Sequence, residues 1–386
     1  MASNHIIIII LILFIIIGLY ILFTTKKEPF EYIPEMTNNS ITDQVNLILQ
    51  RKIKELDIPG ILVGISIAGQ PVVSTGIGNV LYGEKIHPDM SFRMGSITKS
   101  FIGFLLLKLT QEGYLSFNDK LSKWYPEIPQ SDLITLEMLA NMTSGIENYS
   151  NTKKFGEQFT LNPFRQFIVE ELIQMGASAP RLFSPGSDWS YSNTNYVLLG
   201  RIYERVLSLP LSTIIKNKIT DKFNLTNTYL PTDSSLPVPF VHGFCDERDV
   251  FEEATFWNPS WAWAAGGMIT KIADLARWAE ILGTGSSLSI QLHQQQLSNK
   301  TVKLPPFNKF NGNMYYGIGI IYNNGWVGHN GGLPGYNSAC YYNIASKIAI
   351  VININKQSSN IKKNLADSVY EDIVKELYPN QQPLSN

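Results

Sequence analysis

The sequence predicts an α/β fold in which one antiparallel sheet is flanked by helices and carries an inserted, mostly helical lobe, plus an N-terminal transmembrane helix. Three observations lead to this prediction. Residues 61–80 read as a β-hairpin, residues 314–355 contain four β-branched or aromatic runs, and residues 115–260 show helical segments with few strand signals. The short turns between the later runs indicate an antiparallel meander rather than parallel βαβ units. A cleft between sheet and lobe is where a ligand site is expected.

The N-terminal segment is the most apolar part of the chain. Residues 6–23, from Ile6 to Phe23, carry no charge, and as a helix they would span about 27 Å, enough to cross a bilayer. The flanking MASNH and TTKKEP lack the basic region and small-residue site of a cleaved signal peptide. We therefore expect residues 1–28 to be a single-pass anchor in membrane lipid and residues 29–39 to be a polar tether. By the positive-inside rule, the lysines of TTKKEP favour a cytoplasmic location for the rest of the chain. The rule alone does not fix the side of the membrane.

Composition and charge exclude several classes of function for the body of the chain, residues 40–386. The 386-residue sequence is 44% apolar and 16% charged, which suffices for one large or two modest cores. Lys plus Arg (31) nearly balances Asp plus Glu (32), so no nucleic-acid partner is expected. Cys245 and Cys340 form neither a disulfide framework nor a C-x-x-C pattern, and the five histidines lack ligand spacing. We expect no metal and no cofactor.

The elements of the body follow from local patterns. Residues 41–56 carry apolar residues at helical spacing, so a helix should start near Ser40 or Thr42. The apolar run over residues 97–109, closed by a glycine, reads as a buried helix with Ser96 in its first turn. Later strands and a closing amphipathic helix are predicted at residues 314–322, 325–329, 337–343, 347–355 and 361–377.

The stretch GSITKS, residues 95–100, places a hydroxyl and an amine three residues apart at this helix start. Positions i and i+3 share a helix face, so Ser96 and Lys99 can approach hydrogen-bonding distance near the positive end of the helix dipole. Burial would lower the pKa of the lysine from ~10.4 towards that of a useful base. An isolated Ser-x-x-Lys is more often a capping serine and a solvated lysine, and the spacing recurs at residues 150–153 and 359–362. Context has to decide.

Two further motifs supply that context. Tyr191 and Asn193 lie two residues apart in a loop ahead of an apolar helical run, so a phenol and an amide would project together. Residues 329–332, His-Asn-Gly-Gly, follow a predicted strand, and glycines there let a backbone N–H approach a ligand. Taken singly, the first motif is equally well a helix cap and the second a hairpin turn with an exposed histidine.

Together and in this order, these residues resemble the serine β-lactamase and penicillin-binding protein superfamily, whose signature combines Ser-x-x-Lys, Ser/Tyr-x-Asn and Lys/His-Thr-Gly. The chain is most similar to the branch with class C β-lactamases, D,D-carboxypeptidases with a histidine in the third motif, esterases and D-aminopeptidases. Segments at residues 136–146 and 263–282 also resemble characteristic family segments, so the likeness covers roughly residues 40–375. The resemblance implies a β-lactamase/transpeptidase-like fold.

The resemblance also implies a role for each reactive residue. Ser96 would be the acylated nucleophile, Lys99 the amine that activates or orients it, and Tyr191 the partner in proton transfer to the leaving group. The backbone N–H groups of Ser96 and Gly332 would form the oxyanion hole, where paired donors meet the developing negative charge.

Other residues would bind the substrate. Asn193 would hydrogen-bond the amide of the acyl side chain, and His329 with Gly331 would border the substrate on the third-motif strand. His329 would face a carboxylate, and since imidazolium is the better anion partner, this preference should weaken above its ordinary pKa of ~6.5. Two residues depart from the β-lactamase pattern, because His329 replaces the usual lysine and Asn330 the threonine. Efficient hydrolysis of β-lactams is therefore not expected.

We interpret the chain as a membrane-anchored serine hydrolase with its helical lobe at about residues 115–260. It would form an acyl-enzyme with a small-molecule or peptide substrate, either a D-amino-acid-containing peptide or a small ester or amide. One alternative is a β-lactamase. Another is a catalytically idle penicillin-binding or scaffold protein, which the retention of Ser96, Lys99, Tyr191 and Asn193 argues against.

Overall fold

The structure, a computed structural model, describes residues 40–81, 83–298, 301, 313–358, 360–361 and 363–384. The predicted anchor (1–28) and tether (29–39) lie outside these ranges. Within the described ranges, the structure contains no helix that combines the length and the apolar character needed to cross a membrane.

A seven-stranded sheet organises the fold. The strands of the protein are β1 (Gly60–Ile67), β2 (Gln70–Gly78), β3 (Phe92–Arg93), β4 (Phe244–Cys245), β5 (Glu252–Glu253), β6 (Ile269–Thr270), β7 (Met314–Tyr316), β8 (Ile321–Asn323), β9 (Trp326–Leu333), β10 (Tyr336–Asn343), β11 (Ile348–Ile354) and β12 (Lys356–Gln357). The large sheet has the order β2-β1-β11-β10-β9-β8-β7, and every neighbouring pair in it is antiparallel. The N-terminal and C-terminal parts of the chain therefore share one sheet, as predicted.

Helices cover this sheet and form most of the middle of the chain. They are α1 (Ile41–Glu55), α2 (Thr98–Gln111), α3 (Leu136–Ala140), α4 (Lys153–Leu161), α5 (Val169–Ala177), α6 (Asn193–Leu207), α7 (Leu211–Ile215), α8 (Trp263–Gly266), α9 (Ile272–Thr284), α10 (Ile290–Gln296) and α11 (Leu365–Leu377). Helices α3 to α7 lie in the segment where the sequence shows few strand signals.

Two helices cover one face of the sheet. Helix α1 begins where a capping box predicts it, since the Ser40 hydroxyl accepts from Asp43 N while the Asp43 carboxylate accepts from Ser40 N. Its buried Val45 and Leu49 join the apolar side chains of β1, β11 and α11 in one core. This face carries no reactive group of the predicted site.

The other face of the sheet packs on α9 and, at β9, on α2 and α8. Helix α2 is buried along nearly its whole length, which explains why its sequence is apolar all round. The Phe101 ring stacks on Trp278 of α9 with ring centroids 3.8 Å apart, and Trp278 Nε1 donates to Ser100 Oγ at 2.8 Å. The start of α2 is therefore held rigidly between sheet and helices.

The structure corrects three predicted boundaries near the C-terminus. Residues 314–322 are not one strand, because Gly319 adopts a φ of +69° in a turn that separates β7 from β8. The third motif lies inside β9, because the strand predicted over residues 325–329 continues to Leu333. Helix α11 begins at Leu365 instead of residue 361, since Asn364 caps it by accepting from Ala366 N and Asp367 N.

Candidate active site

The predicted nucleophile lies on a tight turn at the start of α2. A 3₁₀ turn over Gly95–Ile97 leads directly into the helix, and Ser96 is half-buried. Gly95 has a φ of +59°, and a Cβ atom placed on it would lie 2.7 Å from Gly332 N. Only glycine fits this position without displacing β9.

Lys99 lies one helical turn behind the hydroxyl. Its Nζ is 2.9 Å from Ser96 Oγ and donates a hydrogen bond of 2.6 Å to Ala265 O. The side chain is fully buried. Burial lowers the pKa of Lys99 well below its ordinary value. The amine is therefore suited to accept the Ser96 proton.

Tyr191 approaches the same oxygen from the loop before α6. Its hydroxyl donates a hydrogen bond of 2.8 Å to Ser96 Oγ, and its ring lies 4.7 Å from Lys99 Nζ. The loop is held in place because Ser190 N donates to Met142 O at 3.1 Å. Burial raises the pKa of Tyr191, so the phenol keeps its proton and can donate it.

The third-motif strand supplies backbone next to the nucleophile. Strand β8 pairs with β9 up to Gly328, and beyond that residue β9 runs beside the turn that carries Ser96. A Cβ atom placed on Gly331 would lie 3.1 Å from Ser96 N. The backbones carrying Ser96 and Gly332 are thus in direct contact, a geometry that fits a pair of oxyanion donors.

Asn193 is the first residue of α6 and is half-buried. Its Nδ2 donates a hydrogen bond of 3.2 Å to Ser150 Oγ, so the amide faces the loop before α4. Ser150 belongs to the second Ser-x-x-Lys, whose Lys153 is 90% exposed and 3.6 Å from Glu157. That lysine resembles an ordinary solvated side chain. The third copy of the motif lies in part outside the described residues.

The environment of His329 differs from the expectation of an exposed, chargeable ring. The side chain is 1% exposed. Its Nδ1 lies 2.5 Å from Asn330 O, which can only accept, so Nδ1 carries the proton. Nε2 is 3.1 Å from Tyr316 OH and accepts from it. Burial, with the nearby Lys99 amine, lowers the pKa of His329 from 6.5 to about 3.

Both ring nitrogens of His329 are therefore engaged in hydrogen bonds, and burial favours the neutral imidazole in the free protein. That a protonated His329 binds a substrate carboxylate stays a prediction. Without an anion beside the ring, desolvation disfavours the charged form.

Three groups around the site were not predicted from the sequence. The Ala265 carbonyl, which accepts from Lys99, lies in the segment at residues 263–282 that resembles the family, so its only signal was that resemblance. Tyr316 and Tyr196 surround the buried amine and imidazole, since Lys99 Nζ is 5.6 Å from the Tyr196 ring. Nothing in their local sequence marks them, because their position depends on how β7 and α6 pack.

The arrangement can perform acyl transfer. In such a reaction Lys99 would take the Ser96 proton as the hydroxyl attacks a carbonyl carbon, and the N–H groups of Ser96 and Gly332 would stabilise the resulting oxyanion. Tyr191 would then give its proton to the leaving group and regain one from Lys99. Across the part of the chain that the structure describes, no group of three or more His, Cys, Asp or Glu side chains is placed to hold a metal ion.

Curated relatives share this chain's sequence over most of its length. Protein flp of Staphylococcus aureus (strain MRSA252) is 26% identical over 343 residues, which is 85% of this chain and 65% of flp. Penicillin-binding protein 4* of Bacillus subtilis (strain 168) is 25% identical over 302 residues, which is 74% of this chain and 65% of that protein. The chain thus spans slightly less than two thirds of the length of these relatives.

Solved structures agree with the fold. A D-stereospecific amidohydrolase from Streptomyces sp. superposes with a TM-score of 0.75 at 26% identity, over 86% of this chain and 97% of its own. A D-amino acid amidase from Ochrobactrum anthropi SV3, complexed with L-phenylalanine amide, gives a TM-score of 0.77 at 22% identity, over 88% and 99%. The second likeness concerns the fold alone. The sequence model of the Beta-lactamase family matches residues 45–373, and this chain belongs to the Beta-lactamase family.

Proposed function

We propose that this serine hydrolase cleaves a small amide or ester of a D-amino acid through an acyl-enzyme on Ser96, and that it prefers an uncharged leaving group. The contacts of Lys99 and Tyr191 with Ser96 Oγ, at 2.9 and 2.8 Å, support the acyl-enzyme chemistry. The observation that carries the substrate preference is the burial of His329 with both ring nitrogens in hydrogen bonds, which favours the uncharged ring.

A D,D-carboxypeptidase substrate or a penicillin presents a carboxylate close to the bond that breaks. Such a carboxylate loses part of its hydration in the site and needs a charged partner. Lys99 and His329 are the basic side chains of the first and third motifs, and burial lowers the pKa of both. A leaving group without charge avoids this cost.

One relative supports the same substrate class. The Streptomyces structure, 26% identical to this chain, is named a D-stereospecific amidohydrolase. The name of penicillin-binding protein 4* makes penicillin binding the second candidate.

A matched pair of substrates tests the preference. D-phenylalanyl-D-alanine amide and D-phenylalanyl-D-alanine share the acyl group and differ in the charge of the leaving group. We expect kcat/KM to be higher for the amide by about 10- to 150-fold, the effect of one missing hydrogen bond to a charged group. Ser96→Ala is the control and should cleave neither. Faster cleavage of the free carboxylate would contradict the proposal.

Covalent labelling tests the nucleophile independently of the substrate. Mass spectrometry after treatment with a fluorophosphonate should show one adduct, on Ser96, and an adduct on Ser150 would contradict the assignment. A parallel sample treated with a penicillin separates the candidates. A stable penicilloyl adduct or rapid turnover of the drug would favour the second candidate over the first.

We also propose that residues 6–23 anchor the protein in a membrane. This run is uncharged, apolar and long enough to cross a bilayer as a helix. A variant that begins at Ser40 should leave the membrane fraction and keep the kcat of the full chain, because the described fold begins with the capping box at Ser40. Loss of activity in a folded variant would show that the segment contributes to the site.

A further inference from the structure

The N-terminus of α11 holds strand β9 beside the proposed oxyanion hole. Asn330 Nδ2 donates a hydrogen bond of 2.5 Å to Asp367 Oδ2, and Asn364 Nδ2 donates one of 2.8 Å to Gly331 O. Asn364 is the N-cap of α11, and Asp367 lies in its first turn. One helix terminus therefore contacts the two residues that precede Gly332.

Asn330, which stands where the family signature has threonine, points towards α11. Neighbouring residues of a strand point to opposite faces of a sheet. His329 faces Tyr316 on the side of the nucleophile, so Asn330 faces α11 and contacts that helix.

The buried Asp367 carboxylate is a strong acceptor for the Asn330 amide. The carboxylate is 8% exposed, and a buried carboxylate requires donors. It accepts from Asn330 and, at 3.0 Å, from Tyr341 OH. Its place in the first turn of α11 also lies at the positive end of the helix dipole. The contact is thus charge-assisted and directional.

A third contact reaches the neighbouring strand at the same level. Leu365 N donates to Asn337 Oδ1 at 3.2 Å, and Asn337 lies opposite Gly332 in the β9–β10 ladder. We propose that Asn330 and Asp367 are positioning residues for the oxyanion hole: their contact sets the place of β9 where the Gly332 N–H faces Ser96.

The size of the effect follows from the geometry of transition-state stabilisation. Removal of a whole oxyanion donor costs about 10²- to 10³-fold in kcat, and a displacement of 1 Å can cost 10²-fold. Loss of the Asn330 contact does not remove the Gly332 N–H, but it allows β9 to move relative to Ser96. The proposal rests on the proposed oxyanion hole and is independent of the preferred leaving group.

The test compares variants of the full chain after active sites are counted with a fluorophosphonate. For Asn330→Ala we expect kcat per active site on a D-phenylalanine ester to fall about 10- to 100-fold with KM nearly unchanged. Phenylboronic acid, whose serine adduct places an oxygen in the oxyanion hole, should lose affinity by a similar factor. Asp367→Ala should behave alike, whereas Asp367→Asn keeps an acceptor for the amide and should recover most of the loss.

Tyr341→Phe is the matched control, because it removes the other donor to the same carboxylate and leaves the contacts of Asn330 and Gly331 with α11 in place. It should lower stability while kcat and the boronic acid affinity stay close to wild type. If Asn330→Ala does not fold, Asn330→Thr, which suits a strand, takes its place.

Two outcomes would overturn the proposal. In the first, Asn330→Ala is less stable or has fewer active sites, but the remaining sites keep the kcat and the boronic acid affinity of wild type. The contact would then hold α11 on the sheet without positioning the oxyanion hole. The other is an equal loss of kcat in Tyr341→Phe. Absence of fluorophosphonate labelling in the wild type would instead contradict the acyl-enzyme itself.

Discussion

Tyr191 is the single residue whose chemistry the geometry defines most sharply. Its hydroxyl contacts Ser96 Oγ, and burial raises its pKa, so we expect it to serve as a proton donor. Tyr191→Phe should lower kcat for an amide substrate by about 10²- to 10⁴-fold, the usual range for a general acid. A p-nitrophenyl ester of the same acyl group should lose much less, because p-nitrophenolate leaves without a proton. Steady-state kinetics on both substrates provide the measurement.

Tyr196→Phe is the control for this prediction. Tyr196 is also buried, and its ring lies near Lys99, but its hydroxyl donates to Ala140 O rather than to the nucleophile. The variant should treat amide and ester alike. Equal losses on both substrates in Tyr191→Phe would mean that Tyr191 only shapes the site.

His329 gives a prediction about pH. Since burial and Lys99 lower its pKa to about 3, the ring is neutral throughout the range of about pH 5 to 8 in which a free histidine titrates. The pH profiles of kcat/KM for wild type and His329→Gln should therefore have the same shape in this range, even if the variant is slower. If kcat/KM of wild type changes with pH near the ordinary histidine pKa and that change is missing in His329→Gln, the ring is not neutral in this range.

The contact between β9 and the turn before α2 restricts which residue type can occupy position 331. A Cβ atom placed on Gly331 would be 3.1 Å from Ser96 N and would collide with Met94 O, whereas one on Gly332 would have Gln357 Nε2 as its nearest neighbour at 4.0 Å. Gly331→Ala should therefore cost on the order of 10²-fold or more in kcat by separating the two backbones.

Gly332→Ala is the adjacent control, since it keeps its backbone N–H and has space for the methyl group. Its loss should be clearly smaller and should appear mainly in KM. The rate of fluorophosphonate labelling at Ser96 reports the same difference without a substrate. If the two alanine variants lose activity equally, the proposed approach of β9 to Ser96 is incorrect.

For the molecule as a whole, Asp367 links stability to pH. Burial raises its pKa from 3.8 to about 6, although its two donors oppose the shift. The unfolded chain releases this proton near pH ~3.9, so between about pH 4 and 6 the folded protein binds more protons. The contribution of this group to the free energy of unfolding therefore falls as pH rises through that window.

Asp367→Asn is uncharged at every pH and removes this slope. Urea unfolding of both proteins should show that the stability of wild type relative to Asp367→Asn declines as pH rises from about 4 to 6 and is constant above. A difference that stays constant, or one that grows with pH, would show that the carboxylate is better stabilised than its burial implies.

The fold was predictable wherever the pattern is local. The capping box at Ser40, the hairpin of β1 and β2 and the apolar run of α2 each follow from neighbouring residues. Residues 314–322 were predicted as one strand because their composition suits a strand throughout. The break between β7 and β8 depends on the backbone conformation that Gly319 adopts between paired strands, which composition does not show.

The sequence by itself determined the class of chemistry, because Ser96, Lys99 and Tyr191 lie in short motifs whose order and spacing match one superfamily. The family match over residues 45–373 confirms that identification. Tertiary structure decided the state and the direction of the individual groups. The neutral ring of His329 and the turn of Asn330 towards α11 arise from strands and helices distant in the chain. The physical reason is that burial and hydrogen-bond partners set a pKa and a side-chain direction, and both depend on three-dimensional packing.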